Sequence, residues 1–176
     1  VINGTNIWNL YFANLGAYSE GKLVGGWVDV MDFVGDQEGL AKEVKRVTSG
    51  ADEVAIHDYE DTDLGIGENA DIEGILCRAE AVEEFGFELV DIAIGHHLSP
   101  SGIDLPAIQD AINDGYYGYC KKVSDFAHDF YQEQGCLIGI PEHLAYHIDW
   151  SGVARELEED FFFHESKDGG FIVWRR

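Results

Sequence analysis

The sequence predicts an α+β protein, with an N-terminal antiparallel sheet and helix, a helical middle and a C-terminal α+β part. Three observations predict it. Apolar residues share a face with period two in Leu23–Val30 and in Glu53–His57, as in half-buried strands. Elsewhere they recur at three- and four-residue spacing, as on amphipathic helices. Of the 176 residues, 45% are hydrophobic and 12% aromatic, enough for real cores despite a net charge of -23. The expected domains are 1–60, 61–114 and 115–176.

The N-terminal elements come first. Asn6–Asn14 is rich in aromatic and β-forming residues and predicts a strand. Gly16 and Tyr18–Gly21 carry turn chemistry, and Leu23–Val30 predicts the second arm of a hairpin. Gly25-Gly26 within that arm predicts a bulge or a close backbone approach. Gln37–Val47 predicts a helix with Leu40, Val44 and Val47 inward and Lys42, Lys45 and Arg46 outward, and Glu53–His57 a short strand. Asp58–Gly67 predicts a polar loop.

The remaining elements alternate in type. Asp71–Phe85 predicts a helix with Ile72, Ile75, Leu76, Ala79 and Val82 as its apolar stripe. Phe87–Leu98 predicts another, although Val90, Ile92 and Ile94 also fit a strand. Ser99–Gly102 breaks it, and Pro106 fits the first turn of a helix to about Ile112. Gly115–Tyr119 fits a strand or a loop. Lys121–Gln134 predicts a helix with Val123, Phe126, Ala127 and Phe130 inward, closed by Gly135. Pro141–Tyr146 predicts a helical turn, and Asp149–Glu158 a helix burying Val153, Ala154 and Leu157. Asp160–Glu165 and Gly170–Trp174 predict strands joined by a turn.

Charge narrows the function. Ala51–Asp114 holds seventeen Asp or Glu and one basic residue, Arg78. Nucleic acid and anionic membranes would repel such a chain. A basic partner would be attracted, over roughly 8 Å at physiological salt. No apolar run approaches the ~20 residues of a bilayer span. Val1–Leu10 lacks the basic start and apolar run of a signal peptide. Cys77, Cys120 and Cys136 are scattered and odd in number, which fits reduced thiols in a cytoplasmic protein.

The carboxylates are patterned. Glu80, Glu84 and Glu88 are spaced by four, then Asp91 by three, and the first of these ladders has a candidate bend at Gly86. Asp110 and Asp114 are spaced by four, as are Asp125, Asp129 and Glu133, and Glu156 and Asp160. On a helix this spacing stacks side chains on one face, about 6 Å apart. Each like-charged pair costs a few tenths of a kcal/mol, so a self-stabilising helix would interleave Lys or Arg. DNA presents one phosphate per ~3.4 Å of rise on each strand. Two readings follow: carboxylates that stand in for phosphates, and an acidic, solubilising surface of a salt-adapted protein.

Chemical sites are weakly signalled. His57, Asp58, Glu60, Asp61 and Asp63 offer ligands to a hard cation, but no register meets the EF-hand spacing. His143 and His147 could share a helix face, but the Glu of the zincin motif is missing between them. They and the His96-His97 pair are expected to be structural. No nucleophile elbow, phosphate-binding loop or CxxC occurs. A metal-dependent enzyme is the third, weakest reading. Phe161–Phe163 and Tyr116-Tyr117 are expected to be at least half core.

Leu10–Val28, LYFANLGAYSEGKLVGGWV, closely resembles the opening of the ArdA antirestriction proteins, as does Glu53–Glu60, EVAIHDYE. Pro141–Leu157, with Tyr146-His147-Ile148-Asp149 and Ala154-Arg155-Glu156-Leu157, is similar to that family's ending. The stretches keep their order and span the chain, while 61–114 matches mainly in being helical and acidic. The resemblance implies an elongated chain of three small domains, dimeric through its C-terminal part. It implies a protein of mobile genetic elements that acts in the bacterial cytoplasm without chemistry or cofactor. Its partner would be a type I restriction–modification enzyme, whose DNA-binding groove it would occupy as a DNA mimic. The expected phosphate-mimicking residues are Asp58, Glu60, Asp61, Asp63, Glu80, Glu84, Glu88, Asp91, Asp110, Asp114, Asp125, Asp129 and Glu133.

Overall fold

A computed structural model describes residues 6–100 and 102–176. The expected strand from Asn6 to Asn14 is shorter: β1 is Asn9–Asn14. It is the central strand of a three-stranded antiparallel sheet, flanked by β2 (Gly25–Asp29) and β3 (Val54–Tyr59). The hairpin of β1 and β2 is present, but its connection opens with a short helix, α1 (Leu15–Ser19), where only a turn was expected. The Asn14 side chain accepts a hydrogen bond from the Ala17 N–H at 2.9 Å, which caps this helix at its start.

Close backbone approach explains the paired glycines of β2. A Cβ on Gly25 would strike the Phe12 carbonyl, and one on Gly26 would lie 3.0 Å from the Val47 Cβ. Strand β3 runs two residues beyond the expected His57, because Asp58 pairs with Tyr11 and Tyr59 with Leu10. Asp58 is therefore a strand residue and not part of the loop.

The chain divides into two compact units, residues 1–112 and 113–176. In the first, α2 (Gln37–Val47) buries Leu40 and Val44 and is capped by Asp36, whose carboxylate accepts the Gly39 N–H at 2.8 Å. Helix α3 (Ile72–Phe85) is capped in the same way by Asp71 onto Gly74, at 2.7 Å. It buries Ile75, Leu76, Ala79 and Val82 as expected, with Ala81 besides. Gly86, at φ 84°, ends α3 and begins α4 (Phe87–Ile92). A π-helical turn over Ala93–His97 follows, so the segment is helical and the strand alternative is excluded. Helix α5 (Leu105–Gly115) reaches three residues beyond the expected Ile112.

Two side chains tie the acidic loop after β3 to this core. Trp8 is fully buried and donates its indole N–H to the Thr62 carbonyl at 3.0 Å. Arg78 is only 7% exposed and donates Nε to the Leu64 carbonyl at 2.8 Å and a terminal nitrogen to the Gly74 carbonyl at 2.6 Å. Leu64 itself is fully buried and holds a left-handed backbone, φ 47°. Asp61, at φ 69°, does the same. Such conformations are costly for non-glycine residues and persist where surrounding contacts fix them.

In the second unit, Tyr116–Cys120 forms a strand, β4, where a strand or a loop was expected. It joins β5 (Phe161–Glu165) and β6 (Phe171–Arg175) in an antiparallel sheet of order β4-β6-β5. Gly115 abuts the Trp174 indole so closely that a Cβ there would strike it. Helices α6 (Val123–Glu133) and α8 (Trp150–Leu157) complete the core, with the short turn α7 (Glu142–Ala145) between them. Ala127, Ala154, Leu157, Phe161 and Val173 are its buried centre. Tyr117, Phe126 and Phe130 surround Phe161 edge-on, with ring centroids 5.0–5.5 Å away. Phe161 is thus core, while Phe162, Phe163 and Tyr117 are half-buried and Tyr116 is exposed.

Arg78→Ala should destabilise the first unit by about 2 kcal/mol, since it strips the buried Leu64 carbonyl of its donor. Urea unfolding measures this. A loss below a few tenths of a kcal/mol would show that the guanidinium does not anchor the loop.

Candidate functional site

The carboxylates singled out in the sequence sit on the surface. Asp58, Glu60, Asp61, Glu84, Asp91, Asp110, Asp114, Asp125, Asp129 and Glu133 are exposed, and Asp63, Glu80 and Glu88 are half-exposed. Their supports differ. Asp58 and Glu60 lie at the end of β3, where the Asn9 amide donates to Glu60 at 2.6 Å. Asp63 accepts the Gly65 N–H at 2.9 Å within the pinned loop. Thr62 donates its hydroxyl to Asp91 at 2.6 Å, which binds that loop to α4.

The helical ladders are placed unequally. Asp125, Asp129 and Glu133 all fall on α6 and form one continuous row. Asp110 and Asp114 share α5. Glu80 and Glu84 share α3, but Gly86 interrupts the helix there, so Glu88 and Asp91 belong to a separate row on α4. The four-residue ladder is therefore two pairs, and the bend foreseen at Gly86 is a full break. The Glu156–Asp160 pair is not a ladder, because α8 ends at Leu157 and Asp160 lies beyond it.

Neutralisation is sparse on these rows. Between Val47 and Cys120 the sole Lys or Arg is Arg78, and it is buried against carbonyls. Ion pairs of Lys and Arg include Lys22–Glu20, Lys42–Glu38, Arg46–Glu43 and Lys121–Asp168. None of those four carboxylates is on the rows. Glu84 meets the Gln109 amide at 2.8 Å, and Asp129 meets the His128 ring at 2.9 Å. Beside the α6 row lies an open groove of about 640 Å³, lined by Asp125, His128, Asp129, Asp149 and Trp150 among others.

Asp168 shows the opposite arrangement. It accepts the Tyr119 hydroxyl at 2.8 Å, the Gly170 N–H at 3.0 Å and the Lys121 ammonium at 3.2 Å. The Tyr119 hydrogen bond, then the backbone N–H, hold its pKa down at about 2. This carboxylate is consumed in closing the turn between β5 and β6.

The histidines are not arranged as ligands. Helix α7 is one turn long, so His143 and His147 do not share a helix face, and both are exposed. His147 packs edge-on to Tyr146, with ring centroids 5.8 Å apart. His57 is half-buried in β3, edge-on to Tyr18 at 5.0 Å and 3.8 Å from Glu68. Among the described residues no three His, Cys, Asp or Glu side chains come together as a metal site requires. No helix among them is long and apolar enough to cross a membrane. Burial raises the pKa of the Cys77 and Cys120 thiols, and Cys136 is exposed. Trp8, Thr62 and Arg78 hold the acidic loop yet carry no local signal, since their partners lie far along the chain.

Fold and surface together define an acidic α+β protein whose carboxylate rows face outward with few cations of its own. The family model described as Antirestriction protein (ArdA) matches residues 10–171, and the chain belongs to that family. Antirestriction proteins of this kind are non-enzymatic inhibitors of restriction–modification enzymes. A comparison with curated proteins gives no match.

The Asp168 geometry has a pH consequence. Its folded pKa lies below the ordinary carboxylate value of 3.8, so its stabilising effect is present above about pH 4 and fades as pH falls towards 2. Tyr119→Phe removes the largest cause and should move the Asp168 titration, followed by carboxyl NMR, up towards its ordinary value. An unmoved midpoint would assign the shift to the Gly170 N–H with Lys121 and Ser166.

Proposed function

We propose that this chain blocks type I restriction–modification enzymes by occupying their DNA-binding groove, with its carboxylates standing where DNA phosphates would. The observation that carries this reading is the outward rows of carboxylates on α3, α5 and α6. A groove built to hold phosphates offers Lys and Arg, and rows of anions held on helices are what such a groove accepts. Asp58, Glu60, Asp61 and Asp63 add carboxylates at the end of β3. Inhibition takes place in the bacterial cytoplasm and protects incoming DNA carried with a mobile element.

Energy is spread over many exposed pairs, each about 0.2–1 kcal/mol. Neutralising any one row member should change inhibition of a purified type I enzyme less than about fivefold. Reversing Asp125, Asp129 and Glu133 together to Lys should weaken it by more than tenfold and reduce its salt dependence. A single Glu→Gln or Asp→Asn that abolished inhibition would point to a discrete active centre instead. Equal inhibition by the triple reversal would leave the rows as a solubilising surface.

The chain also forms a homodimer in this reading, through its C-terminal unit. Ile138 and Tyr146 are each 87% exposed and Leu144 is 52% exposed, an apolar stretch within a strongly anionic molecule. Covering it with a second copy removes apolar surface and offsets repulsion between chains of net charge -23. Light scattering at micromolar concentration should give a dimer that Ile138→Asp with Tyr146→Asp converts to monomer. A monomeric parent protein, or a doubly substituted dimer, would contradict this.

A further inference from the structure

Resting on the mimic reading above, we infer that the outer face of the N-terminal sheet is an arginine-binding platform, built from Trp27 and Tyr11 and bordered by Asp58 and Glu60. The register sets these residues side by side. Tyr11 on β1 pairs with Trp27 on β2 and with Asp58 on β3. Asn9, two residues along β1, bonds Glu60. The opposite face of the same strands carries the buried Leu10, Phe12 and Val28. Alternation along β1 and β2 sends Tyr11 and Trp27 outward together, and the register shift of β3 between Tyr11 and Phe12 sets Asp58 opposite Tyr11.

Trp27 is 44% exposed, while Trp8 and Trp174 are buried. The Tyr11 ring meets it edge-on, with centroids 5.4 Å apart. Gly25 leaves the space for that ring: a Cβ there would come within 3.0 Å of Tyr11 Cε1. The platform is thus fixed before any partner arrives, which lowers the ordering cost of binding. A neighbouring-strand spacing of about 4.8 Å puts Asp58 about 10 Å from Trp27, with Tyr11 between them.

That geometry selects the occupant. A guanidinium lies flat on an indole or phenol and still extends its N–H fork sideways to a carboxylate. An ammonium lacks the planar fork, and an apolar side chain would bring no positive charge to Asp58 and Glu60, each of which accepts one hydrogen bond from the chain, from the Tyr59 N–H and the Asn9 amide. The enzyme groove of the mimic reading supplies arginines, since these grip phosphates in DNA. Whereas the rows act through charge alone, this face adds a packed contact of the kind that dominates interfaces.

The test uses displacement of labelled target DNA from a type I restriction–modification enzyme at two salt concentrations. Compared are the parent protein, Trp27→Leu, Trp27→Tyr, Asp58→Asn and the Trp27→Leu/Asp58→Asn double variant, each with its melting temperature. Trp27→Leu should weaken displacement at least tenfold with little change in salt dependence, and Trp27→Tyr should retain most of it. The losses from Trp27→Leu and Asp58→Asn should be less than additive, because one arginine serves both. Undiminished displacement by a folded Trp27→Leu, or strictly additive losses, would overturn the platform while the mimic reading stands. Should Trp27→Leu not fold, failure of folded Trp27→Tyr and Asp58→Asn to show this pattern decides the matter in the same way. No displacement by the parent protein would overturn both.

Discussion

The guanidinium of Arg78 is the interaction on which the acidic half of this molecule depends. It lies under the loop that follows β3 and satisfies the Leu64 carbonyl, while Leu64 itself fills the core. A cation at this point could have been spent on any of the seventeen carboxylates between Ala51 and Asp114. Its burial against carbonyls does two things at once. It fixes the backbone that carries Asp61 and Asp63, and it leaves the surrounding surface without a positive charge. With the Trp8 indole on Thr62, the loop is held from both sides.

Rows of like charge cost stability, a few tenths of a kcal/mol per pair, and apolar packing must offset that. The inner faces supply it. Helix α3 carries Glu80 and Glu84 outside and buries Ile75, Leu76, Ala79, Ala81 and Val82, each worth on the order of 1 kcal/mol or more. Helix α6 carries its row outside and sets Phe126, Ala127 and Phe130 against an aromatic cluster. Asp36, Asp71 and Asp149 cap helix starts, where a negative charge also favours the helix dipole. Some of the acidity is therefore structural. The cap carboxylates and Asp168 are engaged in closing helix starts and a turn, whereas the rows lie on outward helix faces where a partner can reach them.

Periodicity made most elements legible. Helix α2 has the bounds read from the sequence, Gln37–Val47, because one apolar stripe, one cap and one exposed basic face agree. The α+β class and the N-terminal hairpin were legible from strand-forming composition and period-two spacing, and the C-terminal strands β5 and β6 from their composition. What escaped the sequence was non-local. The place of β6 between β4 and β5 depends on pairing across about fifty residues, and β3 was read short because Asp58 is polar but paired to Tyr11. The candidate surface was legible as composition and spacing, yet its continuity was not. Gly86 at positive φ divides the longest ladder, and the end of α8 removes Asp160 from another. The outward pairing of Trp27 with Tyr11 could not be seen before the register was known.

The central claim is competition for one groove, and affinity for the enzyme in the presence and absence of DNA tests it most directly. Binding of this chain to a purified type I restriction–modification enzyme would be measured alone and with saturating target DNA. The account predicts mutual exclusion, with the apparent affinity falling in proportion to the DNA bound. A ternary complex of enzyme, DNA and this chain, formed with unchanged affinity, would contradict it.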